Sequence, residues 1–183
     1  LKNLFRKKQR LERYDISHQH IRPALLICSG VMRGVYGGGQ VTALEKFGLA
    51  NVFSTVVGVS TGAPTAAYFL AGQAALGTTI YCKECTMPEF ISPWRFVGGK
   101  GPLTDTDYLC RVFRGQVGQK ALNEIQLRQS RSAFYVGVTC AETGAGVLLD
   151  AKQVQPDVVE AIRASIAIPG LSGGAVKICD RSY

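Results

Sequence analysis

Between Asn51 and Gly72 the chain permits few local structures. Val52, Phe53, Val56, Val57 and Val59 form a short apolar run rich in β-branched residues, the composition of a strand covered on both faces. The run breaks at Gly58. From Ala63 to Ala71 the residues are good helix formers, and Pro64 falls in a first turn, where its missing N–H costs nothing. The junction reads Gly58-Val59-Ser60-Thr61-Gly62. A serine between two glycines at a strand-to-helix turn has the form of a nucleophile elbow, because only glycine tolerates the crowding that so sharp a turn brings. The turn presents the Ser60 hydroxyl at a helix N-terminus, beside a dipole and free N–H groups that suit the negative charge developing in acyl transfer. A plain Gly-Ser connector is the alternative, and the strand and helix on its two sides favour the nucleophile.

In chain order, Pro23 to Cys28 reads as a first central strand, followed by Ser29-Gly30-Val31-Met32-Arg33-Gly34 and then Val35-Tyr36-Gly37-Gly38-Gly39. Val41, Leu44 and Phe47 have helical spacing, so a helix is predicted from Gln40 to Phe47, with Gly48 as its αL cap. Two successive strand, turn and helix units predict parallel strands with right-handed crossovers. From Gln73 to Asp107 glycines and prolines interrupt an aromatic-rich stretch, the signature of a functional lid or a loosely packed insertion. A helix is expected from Asp105 to Phe113, capped by Thr104 or Asp105, and another over Leu122 to Leu127. Ala133 to Cys140 and Gly146 to Asp150 read as paired strands, Pro156-Asp157 opens a helix to Ala164, and Ala175 to Cys179 starts a last strand. The sum is a three-layer α/β sandwich with a central, mostly parallel sheet, organised as a basic arm over residues 1–22 and one domain over residues 23–183.

Charge and cysteine usage narrow the partners. Residues 1–14 carry Lys2, Arg6, Lys7, Lys8, Arg10 and Arg13 against Glu12 alone, the larger part of a net charge of +8. Such a cluster suits anionic lipid headgroups, or is a solvated helix face. No interleaved aromatics suggest base stacking, so nucleic acid is not expected. No apolar run approaches the ~20 residues of a membrane-spanning helix, and the opening LKNLFRKKQR is not a signal peptide; a cytoplasmic or peripheral membrane location follows. Cys28 and Cys140 end predicted strands and read as small buried thiols. Cys82 and Cys85 have the spacing of half a zinc site without a second half, so no metal is assigned. A dinucleotide-binding turn wants G-x-G-x-x-G with an acid about 20 positions on, and Gly30 to Gly34 lacks that spacing. The N–H groups of this first turn can still converge on an anion.

A Ser-His-Asp hydrolase of the common α/β type needs a histidine after its nucleophile. Here the two histidines, His18 and His20, precede the first strand. The base must be another group, and a carboxylate serves if it reaches the hydroxyl.

Four stretches, taken in order, resemble the patatin-like phospholipases, which use a Ser-Asp dyad. Ser29-Gly30-Val31-Met32-Arg33-Gly34 is similar to that family's glycine-rich oxyanion turn with its basic residue, and Gly58-Val59-Ser60-Thr61-Gly62 to its elbow. Ala164-Ser165-Ile166-Ala167-Ile168-Pro169-Gly170 resembles its Ala-Ser-x-Ala-x-Pro-Gly block, and Val176 to Tyr183 the strand that leads into its Asp-Gly motif. The resemblance implies a lipid or phospholipid substrate, carboxylic ester hydrolysis by Ser60, an oxyanion held by N–H groups of Gly30, Val31, Met32, Arg33 and Gly34, and no cofactor. Tyr68, Phe69, Phe90, Trp94 and Phe96 suit the lining of an acyl channel and a core equally. Two departures qualify the resemblance. Ser29 and Val31 stand where the family has glycines, and valine dislikes positive φ. The family's catalytic Asp is expected a residue or two after Tyr183, so the sequence is expected to stop short of its own base. A lipid-binding pseudoenzyme and a nucleotide-binding α/β domain are the rival readings.

Overall fold

The computed structural model describes residues 22–28 and 30–183. The expected basic arm therefore lies outside the described residues except for Arg22, as do Ser29 and both histidines.

β1 (Ala24–Ile27) and β2 (Thr55–Val59) pair in parallel, with Leu25 opposite Val56 and Ile27 opposite Gly58. β2 pairs in parallel with β3 (Ala133–Thr139), placing Val56 opposite Phe134, and β4 (Gly146–Asp150) runs antiparallel along β3. The order β1-β2-β3-β4 is the expected mostly parallel central sheet, flanked by helices. The chain leaves β1 through a 3-10 turn at Val31–Arg33 into α1 (Gly34–Lys46). After β2 come α2 (Gly62–Leu70), α3 (Ala74–Gly77), α4 (Pro93–Val97), α5 (Thr106–Phe113) and α6 (Glu124–Gln129) before β3. α7 (Val158–Ile166) follows β4, and a hairpin of β5 (Lys177–Ile178) and β6 (Arg181–Ser182) ends the chain.

The core follows from strand parity. Val56, Phe134 and Val136 point to one face and are fully buried there beneath α2 and α7. Every residue of α2 is buried, as a sequence apolar on all sides except for Thr65 demands. On the other face Leu26 and Leu148 are more than half exposed among the described residues. Local signals operate as read: Asp105 Oδ1 accepts the Tyr108 N–H (2.9 Å) to cap α5, Asp157 caps α7, and Gly48 ends α1 at φ +68°.

Four sequence expectations need correction. α1 begins at Gly34 rather than Gln40, so Gly37, Gly38 and Gly39 are helical. The reason is tertiary at Gly38: a Cβ there would lie 2.8 Å from Thr78 Cβ, so this glycine lets α1 approach the 78–82 segment closely. β2 starts at Thr55, because Ala50–Val52 forms a 3-10 turn. The last strand has only Lys177–Ile178 and pairs with β6 instead of joining the central sheet. Cys28 is exposed, whereas Cys140 is buried as expected.

Candidate active site

The elbow is built by what its glycines exclude. Ser60 takes φ +52°, a left-handed conformation unfavourable for a non-glycine residue, and its carbonyl accepts the Ala63 N–H at 2.8 Å to start α2. A Cβ on Gly58 would meet the Gly62 carbonyl oxygen at 2.6 Å and Ala63 Cα at 2.7 Å. A Cβ on Gly62 would lie 2.0 Å from the Ile27 carbonyl oxygen. Both positions require glycine, the first because the turn folds back on itself and the second because α2 starts against the end of β1.

The same packing brings the first turn to the elbow. A Cβ on Gly34 would touch Thr61 Cβ at 3.0 Å and the Tyr81 ring at 2.9 Å. Gly30, Val31, Met32 and Arg33 therefore enter α1 beside Thr61, and the Arg33 N–H closes the turn on the Gly30 carbonyl at 2.8 Å. The first N–H groups of a helix have no intrahelical acceptor, so this end is a place for negative charge. Val31 holds φ +50°, the conformation the sequence expected valine to resist. Val31, Met32 and Arg33 are all exposed, leaving the turn open to solvent.

Two clamps hold the elbow, and neither role was assigned from sequence. The Ser60 backbone N–H donates to Ser165 Oγ at 2.7 Å, while Ser165 Oγ donates to the Gly137 carbonyl at 2.6 Å. One hydroxyl on α7 thus ties the turn to the end of β3 across a long sequence separation. Below, Tyr81 Oη donates to the Thr61 carbonyl at 2.5 Å and lies 2.7 Å from Thr65 Oγ1. Burial pushes the Tyr81 phenol well above its usual range, so it stays a neutral donor. Thr61 Oγ1 is buried with no hydrogen-bond partner among the described residues.

Val59 and Ser165 form part of the wall of a cavity of about 810 Å³, shared with Thr139, Leu148, Pro169 and Tyr183. Asp150 and Asp180 instead line a second recess of about 410 Å³ with Val154 and Arg181. Of the five aromatics that suited a channel or a core equally, Tyr68 and Phe69 are core residues, Phe90 is half-buried, and Trp94 and Phe96 are exposed. Cys82 is exposed and Cys85 buried, and among the described residues no three His, Cys, Asp or Glu side chains group as metal ligands.

The patatin-like phospholipase family profile matches residues 25–183. The chain belongs to that family. The family's general activity, hydrolysis of lipid acyl esters, therefore frames the site just described. No curated protein matches the chain at a significant level. Among solved structures, one similar in shape is the complex of full-length ExoU with SpcU from the type III secretion system of Pseudomonas aeruginosa. Identity is 13%, the match covers 86% of this chain and 42% of that one, and the TM-score is 0.46. The chain thus spans less than half of that protein, and a likeness this loose says nothing about the site. Among the described residues, no helix is long and apolar enough to cross a membrane.

Proposed function

We propose that this patatin-like domain, spanning residues 23–183, hydrolyses carboxylic esters of lipids through Ser60. The observation that carries the reading is the strained φ of +52° at Ser60, held between two glycines whose places no other residue can take. Strain of this kind costs on the order of 1–3 kcal/mol and persists where the surroundings impose it.

In the proposed reaction the Ser60 hydroxyl oxygen attacks the ester carbonyl, and N–H groups of the Gly30 to Gly34 turn hold the developing oxyanion. Arg33 stands near the mouth as a cation for an anionic headgroup. The hydroxyl proton passes to a carboxylate, then to the leaving alcohol. Water releases the acyl group from Ser60 in a second step, with the carboxylate again taking the proton. Asp150 and Asp180 lie in the other recess, so neither is assigned as base. An Asp following Tyr183 is the proposed base, on the strength of the family resemblance; Tyr183 itself lines both the cavity of Val59 and Ser165 and the recess of Asp150 and Asp180. The basic arm is proposed as a contact with anionic membrane.

A second reading, a lipid-binding protein without turnover, draws on one observation, the φ of +50° at Val31. A left-handed valine costs roughly 1–2 kcal/mol, and its side chain stands on the turn whose N–H groups must face the oxyanion. Ester hydrolysis by the chain extended through the Asp motif, compared for the native sequence, Ser60→Ala and Val31→Gly, separates the readings. The hydrolase reading expects activity in the native sequence that Ser60→Ala abolishes. Activity only after Val31→Gly supports the binder, and activity that survives Ser60→Ala overturns the assignment of the nucleophile.

A further inference from the structure

The surface places apolar side chains outward where a short helix would ordinarily bury them. Met87, Ile91, Trp94, Phe96 and Val97 are all exposed, Trp94 at 86% and Val97 at 78%. They lie on and just before α4, whose N-terminus is capped by Ser92 Oγ accepting the Arg95 N–H at 3.3 Å. The single cation of α4 points the other way. Arg95 donates to the carbonyls of Pro102 (2.9 Å), Phe90 (3.1 Å) and Glu89 (3.3 Å), so its guanidinium is an internal strut that closes the loop. A helix serving the core would do the reverse, and contiguous exposed apolar groups on a soluble surface mark an interaction site.

The segment is fastened to the wall of the large cavity. Ile91 bridges to Thr104, the Thr104 N–H donates to the Leu171 carbonyl at 3.0 Å, and Thr104 Oγ1 lies 2.7 Å from Ser172 Oγ. Leu171 and Ser172 join Gly170 to Gly173, both of which line the cavity along with Ser165 and the exposed Pro169. The apolar surface is therefore linked through one strand of backbone to the rim of the cavity beside the elbow. Lys83 and Lys100, exposed near its two ends in sequence, make no ion pair among the described residues.

We propose that the Met87 to Val97 segment is an interfacial docking element that inserts Trp94 and Val97 into the headgroup and acyl boundary of a lipid bilayer, with Lys83 and Lys100 free to meet headgroup phosphates. The proposal rests on the reading of the domain as a lipid acyl hydrolase, whose substrate must leave a membrane close to the cavity mouth. An exposed indole on a rigid turn suits a bilayer interface, where its apolar ring and polar N–H are both accommodated. A stable protein interface needs roughly 800 Å² and some twenty residues per partner, more than five apolar side chains on a short turn present.

Trp94 is the only tryptophan in the chain, so its fluorescence reports on this segment alone. The full chain carrying Ser60→Ala, which leaves lipid intact, is titrated with phosphatidylcholine vesicles and with phosphatidylcholine–phosphatidylserine vesicles, with and without brominated acyl chains. The expected result is a blue shift and bromine quenching of Trp94 on both vesicle types, persisting at high salt. Val97→Asp in the Ser60→Ala chain is expected to weaken partition about tenfold or more with the thermal midpoint unchanged, and in the chain that keeps Ser60 and extends through the Asp motif it is expected to leave the turnover of a water-soluble ester unchanged. Flotation with Trp94→Ala is expected to show a loss of similar size. Binding to anionic vesicles alone, lost in high salt and with Trp94 emission unmoved, overturns the proposal in favour of the basic arm. A blue shift that follows protein concentration without lipid overturns it in favour of a second copy of the chain. Docking without Ser60-dependent hydrolysis sinks the hydrolase reading while this proposal stands, and hydrolysis of soluble ester without docking does the opposite.

Discussion

Ser165→Ala isolates the clamp that joins α7 to the elbow. The substitution removes one hydroxyl that accepts the Ser60 N–H at 2.7 Å and donates to the Gly137 carbonyl at 2.6 Å. Leaving a buried donor unpaired costs about 1–3 kcal/mol, and an ordinary hydrogen bond contributes about 1 kcal/mol. Ser60 and Ser165 are both half-buried, so water relieves part of the loss and about 1–2 kcal/mol is the expected total. For a chain of this size each kcal/mol moves the thermal midpoint by about 2–4 °C, giving a fall of roughly 2–8 °C by calorimetry. The effect on chemistry should exceed the effect on stability, because an unclamped Ser60 N–H lets the left-handed turn relax. A displacement of the order of 1 Å at a nucleophile costs about a hundredfold in rate. The loss should appear in kcat more than in KM, and Ser165→Thr, which keeps a hydroxyl, should recover most of it. A Ser165→Ala protein whose midpoint moves less than about 1 °C and whose Ser60 reacts at the native rate would refute the clamp.

Gly62→Ala and Gly39→Ala should act in opposite directions although the chemical change is the same. At Gly62 the new Cβ would lie 2.0 Å from the Ile27 carbonyl, so denaturant unfolding should show a loss of several kcal/mol or no folded protein; at Gly39, helical with nothing within 4 Å, a gain of about 0.5–1 kcal/mol is expected. The thiols should divide by exposure in a timed reaction with a disulfide reagent at pH 8: Cys28, Cys82 and Cys179 fast, Cys85, Cys110 and Cys140 only on unfolding. Burial pushes the Cys85 and Cys110 thiols up to about 12, so almost no thiolate exists to react, and raising the pH to 9 should leave them inert while the native fold persists.

Much of the fold is legible because local signals and burial agree. The run ending at Gly58, the helix formers after Gly62 and the caps at Asp105 and Asp157 each point to the element that forms. The elbow is legible for the same reason: its glycines are demanded by backbone contacts within the turn and with the adjoining strand. What sequence misses depends on contacts between remote segments. Three consecutive glycines argue for a turn at 37–39, and only the approach of Thr78 to Gly38 shows why a helix is close-packed there. Ser165 stands within a recognisable block, yet nothing local says that its hydroxyl reaches Ser60. Tyr81 gives no signal at all, because its partners, Thr61 of the elbow and Thr65 of α2, lie 20 and 16 residues away in sequence. Trp94 and Phe96 read equally well as channel or core, and only the inward turn of Arg95 explains why they face solvent.

If Ser60 is an activated nucleophile, it reacts covalently with an electrophilic serine-hydrolase probe. Incubating the chain, extended through the expected Asp motif, with a fluorophosphonate and mapping the adduct by peptide mass spectrometry tests it directly. The expected result is one stoichiometric adduct on the peptide carrying Ser60, absent in Ser60→Ala and slowed in Ser165→Ala. An unlabelled Ser60 in a folded protein, or an adduct that persists in Ser60→Ala, would contradict it.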